Sequence, residues 1–201
     1  MATTTTTGDG PATRPSLRTR GLWVTLAVGV VVAVYAVVTG GRDSANPDAP
    51  LPGGTVTFPE TVRTHVLGAV HYDRTPPAGG SHDPRWLNCG VYTQPVRDEN
   101  AVHSLEHGAV WITYLPSLSA SQVTALRHTV QSHYGGGDRY VILSPYPGQP
   151  APVIATAWGN QLALQSAADP RMAGFIEHFR EGPQTLEHGA PCAGGIGAPA
   201  G

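Results

Sequence analysis

Lysine is absent from this chain; all 12 cationic side chains are arginine. Only 13% of the 201 residues are charged, with 14 acidic against 12 basic and a net charge of −2. No basic stripe stands out, which argues against a nucleic-acid partner. Two cysteines are too few for a disulfide-dense mini-protein, and they form no C-x-x-C pair. There is no G-x-S-x-G elbow and no glycine-rich phosphate loop of the Rossmann or Walker type. With 25 glycines and 19 prolines, a coiled coil or long helical bundle is excluded. The 40% of apolar residues still suffices for one modest core.

What is present first concerns location. Residues 1–20 are rich in Thr, Gly and Pro without periodicity, as in a disordered tail. Residues 21–39 carry no charge, and at 1.5 Å per residue they reach about 30 Å, the thickness of a bilayer core. The run is longer than the usual apolar core of a cleaved signal and shows no A-x-A site. No cysteine follows it directly, which excludes a lipoprotein anchor. Arg14, Arg18 and Arg20 precede it, whereas Asp43 and Asp48 accompany Arg42 after it. The positive-inside rule then gives a single-pass cell-membrane anchor, with the N-terminus cytoplasmic and everything after Gly40 extracytoplasmic. Residues 40–55 read as a Pro/Gly/Asp linker, 56–192 as the folded extracytoplasmic domain and 193–201 as a loose tail.

Within the domain, Thr61–Tyr72 is β-rich and reads as one strand or two short ones. Asp73–Asn88 is a long Pro/Gly-bearing loop, the kind that often carries function. Glu99–His107 suits two helical turns stopped by Gly108. Ala109–Leu115 is apolar on both faces, as a central strand is. Ser119–Tyr134 places Val123, Leu126, Val130 and Tyr134 on one stripe and ends at Gly135–Gly137. Two further strands are expected at Arg139–Leu143 and Pro152–Trp158. Asp169-Pro170 reads as an N-cap and N1 pair opening a helix with Met172, Phe175, Ile176 and Phe179 inward. This order predicts an α+β fold: a single small domain with a mostly antiparallel sheet and two to three helices, preceded by the transmembrane helix.

Nine histidines in a chain without lysine call for an account, and all of them follow the apolar run. His128, His133 and His178 lie off or beside the apolar stripes of their helices and read as surface residues. The sharp feature is His103-Ser104-Leu105-Glu106-His107-Gly108. On a helix His103 and His107 share a face one turn apart, a ready bidentate site for copper or zinc. Glu106 adjoins that face as a third ligand, an orienting partner or a general base. The competing reading is a helix end, with His107 favouring the macrodipole and Glu106 in a surface pair. The order H-x-x-E-H is also that of the inverted zinc peptidases, for which Glu177, Glu181 or Glu187 is the available downstream carboxylate, although Gly108 ends the helix at once. From the loop, His82 and Asp83 are placed to fold over the pair, and His71 is a further option. Cys89 and Cys192, outside the cytoplasm, most simply form one disulfide closing a loop of about 100 residues, worth roughly 4 kcal/mol in the entropic model. Leu105–Ala109 recurs as Leu186–Ala190, which reads as coincidence in a flexible tail because the surroundings differ.

Several blocks together resemble domain-of-unknown-function family 3105. They are Pro76-Pro77 to His82, Gly90-Val91-Tyr92, Val102–Val110, Ser144-Pro145-Tyr146-Pro147, Thr156-Ala157-Trp158-Gly159 and Phe175-Ile176. The resemblance covers about residues 56–192, and the L-E-H-G block joined to the later A-W-G block is its specific part. It implies a membrane-anchored bacterial domain whose pattern centres on the positions of His82, His103, Glu106 and His107. It implies no reaction.

The expected function is binding or delivery of copper or zinc through His82, His103, Glu106 and His107, with a metal-handling or cell-surface protein as partner. Two other readings stay open: a metal-free cell-surface binding or scaffold module with structural histidines, and a small metal-dependent hydrolase with Glu106 as base.

Overall fold

The strand expected at Ala109–Leu115 lies at the middle of the sheet. Val110–Tyr114 (β3) is buried at every position, because neighbouring strands flank it on both edges. The computed structural model describes residue 1 and residues 48–60, 62–133 and 139–200. Residues 2–20 of the expected tail, the apolar span 21–39, the first half of the linker (40–47), Tyr134 of the expected helical stripe and the Gly135–Gly137 stop lie outside these. Among the described residues no helix is long and apolar enough to cross a membrane. The chain divides into Met1–Gly41 and Arg42–Gly201, and the second unit carries the fold described below.

The remaining strands are Val56–Thr57 (β1), Gly90–Val91 (β2), Val141–Pro145 (β4), Val153–Ala157 (β5) and Asn160–Leu164 (β6). The helices are Asp98–Glu106 (α1), Ala120–Ser132 (α2) and Arg171–Phe179 (α3). Together they make a single small α+β domain with one six-stranded sheet in the order β1-β6-β5-β3-β4-β2. The sheet is mixed rather than mostly antiparallel. β1, β6, β5 and β3 pair antiparallel, but β4 runs parallel to both β3 and β2. The reason is connectivity: α1 joins β2 to β3 and α2 joins β3 to β4, and a strand that returns through a helix comes back parallel.

Alternation along β3 and β4 sorts the core into two layers. Val110, Ile112, Tyr114, Val141 and Leu143 pack with Leu126 and Val130 of α2 and with Met172, Phe175, Ile176 and Phe179 of α3. Trp111 and Ile142 point the other way, into a second cluster with Ala101, Val102 and Leu105 of α1. The stripes expected on α2 and α3 are therefore the ones that cover the first face. The Ser119 hydroxyl caps α2 by accepting from the Gln122 N–H. At the start of α3 the N-cap position is Pro170, one residue later than expected, and Asp169 accepts from the Arg171 backbone N–H instead.

Other local expectations change. In the stretch expected as a strand at 61–72, the described residues 62–72 form none; among them only His65 pairs, through a bridge to His82. β1, β2 and β6 lie where no strand was expected. Residues 193–200, read as a loose tail, hydrogen-bond to the body of the domain: Ile196 bonds with Trp86 and Asn88, and the Ala200 N–H donates to the Val91 carbonyl.

Candidate metal centre

Helix α1 is nine residues long, and from Glu99 to Glu106 every residue is buried although five of these eight are polar. Such a helix survives burial only if its polar groups find partners. The loop before it supplies them. The Ser104 hydroxyl donates to the Leu87 carbonyl, the Leu87 N–H bonds back to the Asn100 carbonyl, and the Asn100 amide donates to the Arg85 carbonyl. The helix stops at Gly108, which adopts φ +99°, where a Cβ would lie 2.7 Å from the Thr185 hydroxyl oxygen. That stop leaves His103 and Glu106 in the last turn and His107 at the C-cap, with His103 bonded to the loop at Asp83 and His107 to the C-terminal segment at Pro191. Glu106 is only 2% exposed, so the surface-pair reading does not hold.

The three expected histidines are fixed in the same way. The Nδ1 of His82 lies 2.8 Å from the Gly80 carbonyl oxygen, that of His103 2.7 Å from the Asp83 carbonyl oxygen, and that of His107 2.8 Å from the Pro191 carbonyl oxygen. A carbonyl only accepts, so each Nδ1 carries the proton and each Nε2 of the neutral ring keeps its lone pair. This backbone anchoring is how metal-binding histidines are oriented. Burial pushes the His103 imidazole down to about 4; the Asp83 carbonyl opposes this, and His107, His82 and His65 add to it. His103 is therefore neutral at neutral pH, the form that ligates.

The Nε2 of His82 is the unusual atom. It is buried and makes no hydrogen bond, yet the Glu106 Oε2 lies 2.8 Å away. The carboxylate sits off the line along which a ring N–H would point. Two lone-pair-bearing atoms at that distance, both buried, repel each other unless a proton or a metal ion lies between them.

Two groups that could hold a metal ion result, each with its donor atoms within 4.8 Å of one another. One is His65, His82, His103 and Glu106; the other is His103, His107 and Glu187. All four expected ligands are thus in the centre. His65 and Glu187 join them from segments where sequence reasoning assigned no ligand or only a remote alternative. His65 stacks on His103 with ring centroids 4.8 Å apart and is held by the bridge to His82, in which the Val66 N–H donates to the His82 carbonyl. Nothing local in the sequence marked it. Glu187 was signalled by the repeated L-E-H-G-A block. That block does not lie in a loose tail: the Leu186 and Glu187 N–H groups both donate to the Glu106 carbonyl, so the second copy docks on the first. Glu187 then faces His107 at 3.3 Å.

The disulfide is formed between Cys89 and Cys192, with Cα atoms 5.4 Å apart. It ties down the strap that carries Pro191 and Glu187. Asp83 contributes its carbonyl rather than its carboxylate. Burial acts to raise that carboxyl, but the Arg85 N–H and the guanidinium groups of Arg97 and Arg85 outweigh it and hold the carboxyl low. His71 is exposed and lies outside both groups, as do Glu177 and Glu181. His128 is exposed as expected, while the half-buried His178 bonds to the Ala49 carbonyl. Trp86 walls the centre, with its ring 5.9 Å from His103 and 5.1 Å from His107, and the edge of Trp158 approaches His82 at 5.8 Å.

No curated protein and no solved structure matches the chain. Residues 65–194 match the family model described as Protein of unknown function (DUF3105), a span that begins at His65 and takes in Glu187 and both cysteines. The chain belongs to the DUF3105 family.

Proposed function

We propose that the domain binds one divalent transition-metal ion, copper or zinc, through His82, His103 and Glu106, with His65 as the fourth ligand. The buried, unbonded Nε2 of His82 beside the Glu106 carboxylate carries this reading. Three imidazoles and a carboxylate form a four-coordinate donor set typical of zinc and also suited to copper(II). Ligand–metal distances of about 2.0–2.2 Å place donor atoms roughly 3.3 Å apart in a tetrahedron, a separation that small shifts of these side chains supply. Glu106 in this role is a ligand, which removes the free base that a hydrolase would need.

Location enters the same proposal. The uncharged run 21–39 with arginines before it supports a single-pass anchor with this domain outside the cytoplasm. The Cys89–Cys192 disulfide fits an oxidising compartment. A protein that gives or takes the metal at the membrane surface is the corresponding partner.

One observation favours the metal-free reading: the three Nδ1–carbonyl bonds also serve as structural ties. Elemental analysis separates the two. The full chain, purified without a polyhistidine tag, is expected to hold about one equivalent of copper or zinc, and His82→Ala and Glu106→Gln variants none. A chain that takes up no metal after loading and desalting, and whose melting temperature is indifferent to chelators, establishes the structural reading instead.

A further inference from the structure

The two ligand groups meet at His103. Its Nδ1 is committed to the Asp83 carbonyl, so Nε2 is its only free nitrogen and cannot serve two ions at once. The centre therefore holds one ion with two addresses. The inner address has four protein ligands, three of them buried, which closes the coordination sphere. The outer address, at His103, His107 and Glu187, has three protein ligands and so leaves a fourth position for water or an incoming donor. Closed zinc sites retain their ion, whereas sites with an open position exchange ligands. Each address has one exposed member, His65 at the inner and Glu187 at the outer, but the two carboxylates differ: the Glu187 side chain is 44% exposed, against 3% for Glu106.

We propose that the outer group is the door of the metal site, a relay through which the ion enters and leaves; this rests on the metal-binding reading above. In the step the ion keeps its bond to His103 Nε2. Its bonds to His65, His82 and Glu106 break, and bonds to His107 Nε2, a Glu187 carboxylate oxygen and one water form. No electron moves, and the imidazoles keep their Nδ1 protons. Each address supplies imidazoles and one carboxylate, so the ion meets the same donor types and the same ligand charge on both sides. His103 and His107 are one helical turn apart with ring centroids 4.6 Å from each other, a spacing across which ligands can be swapped one at a time. The docking of the second L-E-H-G-A copy onto the Glu106 carbonyl is what brings the outer carboxylate within reach.

The test uses the full chain loaded with zinc(II), with uptake and release followed by stopped flow against a colorimetric zinc chelator. A door residue lowers the barrier in both directions. Glu187→Gln is therefore expected to slow uptake and release together, each tenfold or more, so that their ratio moves far less than either rate. Glu106→Gln is expected to speed release and weaken affinity a hundredfold or more. Glu177→Gln, an exposed carboxylate on α3, is expected to exchange zinc at the wild-type rates. Wild-type exchange rates in Glu187→Gln overturn the relay and leave the metal site standing. Loss of affinity in Glu187→Gln matching that of Glu106→Gln also overturns it, by making Glu187 a resident ligand. A wild-type chain that binds no zinc or copper overturns the binding reading and the relay with it.

Discussion

The two faces of the sheet are buried by different physics. On one, α2 and α3 cover β3, β4, β5 and β6 with aliphatic and aromatic side chains such as Leu126, Val130, Phe175 and Ile176. Stability there comes from apolar area removed from water and depends little on direction. On the other, α1 is sunk as a mostly polar helix and held by directional bonds: Ser104 to Leu87, Asn100 to Arg85, and the carbonyl contacts of His103 and His107. The apolar face sets how stable the domain is; the polar face spends its burial on fixing lone pairs. The groups that could hold a metal gather on the second, where buried side chains are held by what they donate and accept.

Perturbing each face in turn tests that contrast. Phe175→Ala, which empties the centre of the apolar face, is expected to cost about 3–5 kcal/mol in chemical denaturation. Metal content per folded molecule should stay at the wild-type level; a loss of metal along with the stability would mean that the faces are coupled. Replacing both cysteines, Cys89→Ser with Cys192→Ser, should cost about 3 kcal/mol and also loosen the strap that bears Pro191 and Glu187. Its signature on the polar face is altered metal exchange, absent from Phe175→Ala at matched stability.

Acid should act on the polar face first. The folded His103 imidazole sits at about 4, below its ordinary value near 6.5. The unfolded chain thus takes up the proton first as pH falls. His103's contribution is complete above about 6.5 and is lost on descending toward 4, on the order of 2 kcal/mol for the metal-free protein. Denaturation midpoints across that window should fall, and His103→Asn should flatten the decline; an equally steep decline in the variant would place its origin elsewhere. The smallest effect belongs to Ser119→Ala, which removes the cap of α2 and is expected to cost about 1 kcal/mol without touching metal content.

Legibility in the sequence divides along the same line. The helix starting at Ser119, the apolar stripes, the all-buried β3 and the glycine that stops α1 were readable because each depends on residues within a turn or two of itself. The two-residue strands β1 and β2 carry too few residues for a period. The parallel pairing of β4 with β3 depends on which side the α2 crossover returns. In the centre, His103, Glu106 and His107 announced themselves by helical spacing, and His82 by its place in the loop and in the family's pattern. His65 had no local sign, since its role comes from a single bridge that seats it beside residue 82.

The sequence by itself determined that one short helix turn presents His103 and His107 on a common face, because helical spacing is a local property. It also set the apolar stripes and offered two cysteines to pair. Only the tertiary structure decided that Glu106 points inward at His82, that Glu187 closes on His107 from a strap 80 residues downstream of it, and that His103 belongs to both groups. The physical reason is that these are meetings of segments far apart in the chain. They are set by the packing of a loop, a bridge and a disulfide around a buried polar helix, and no period along the chain encodes them.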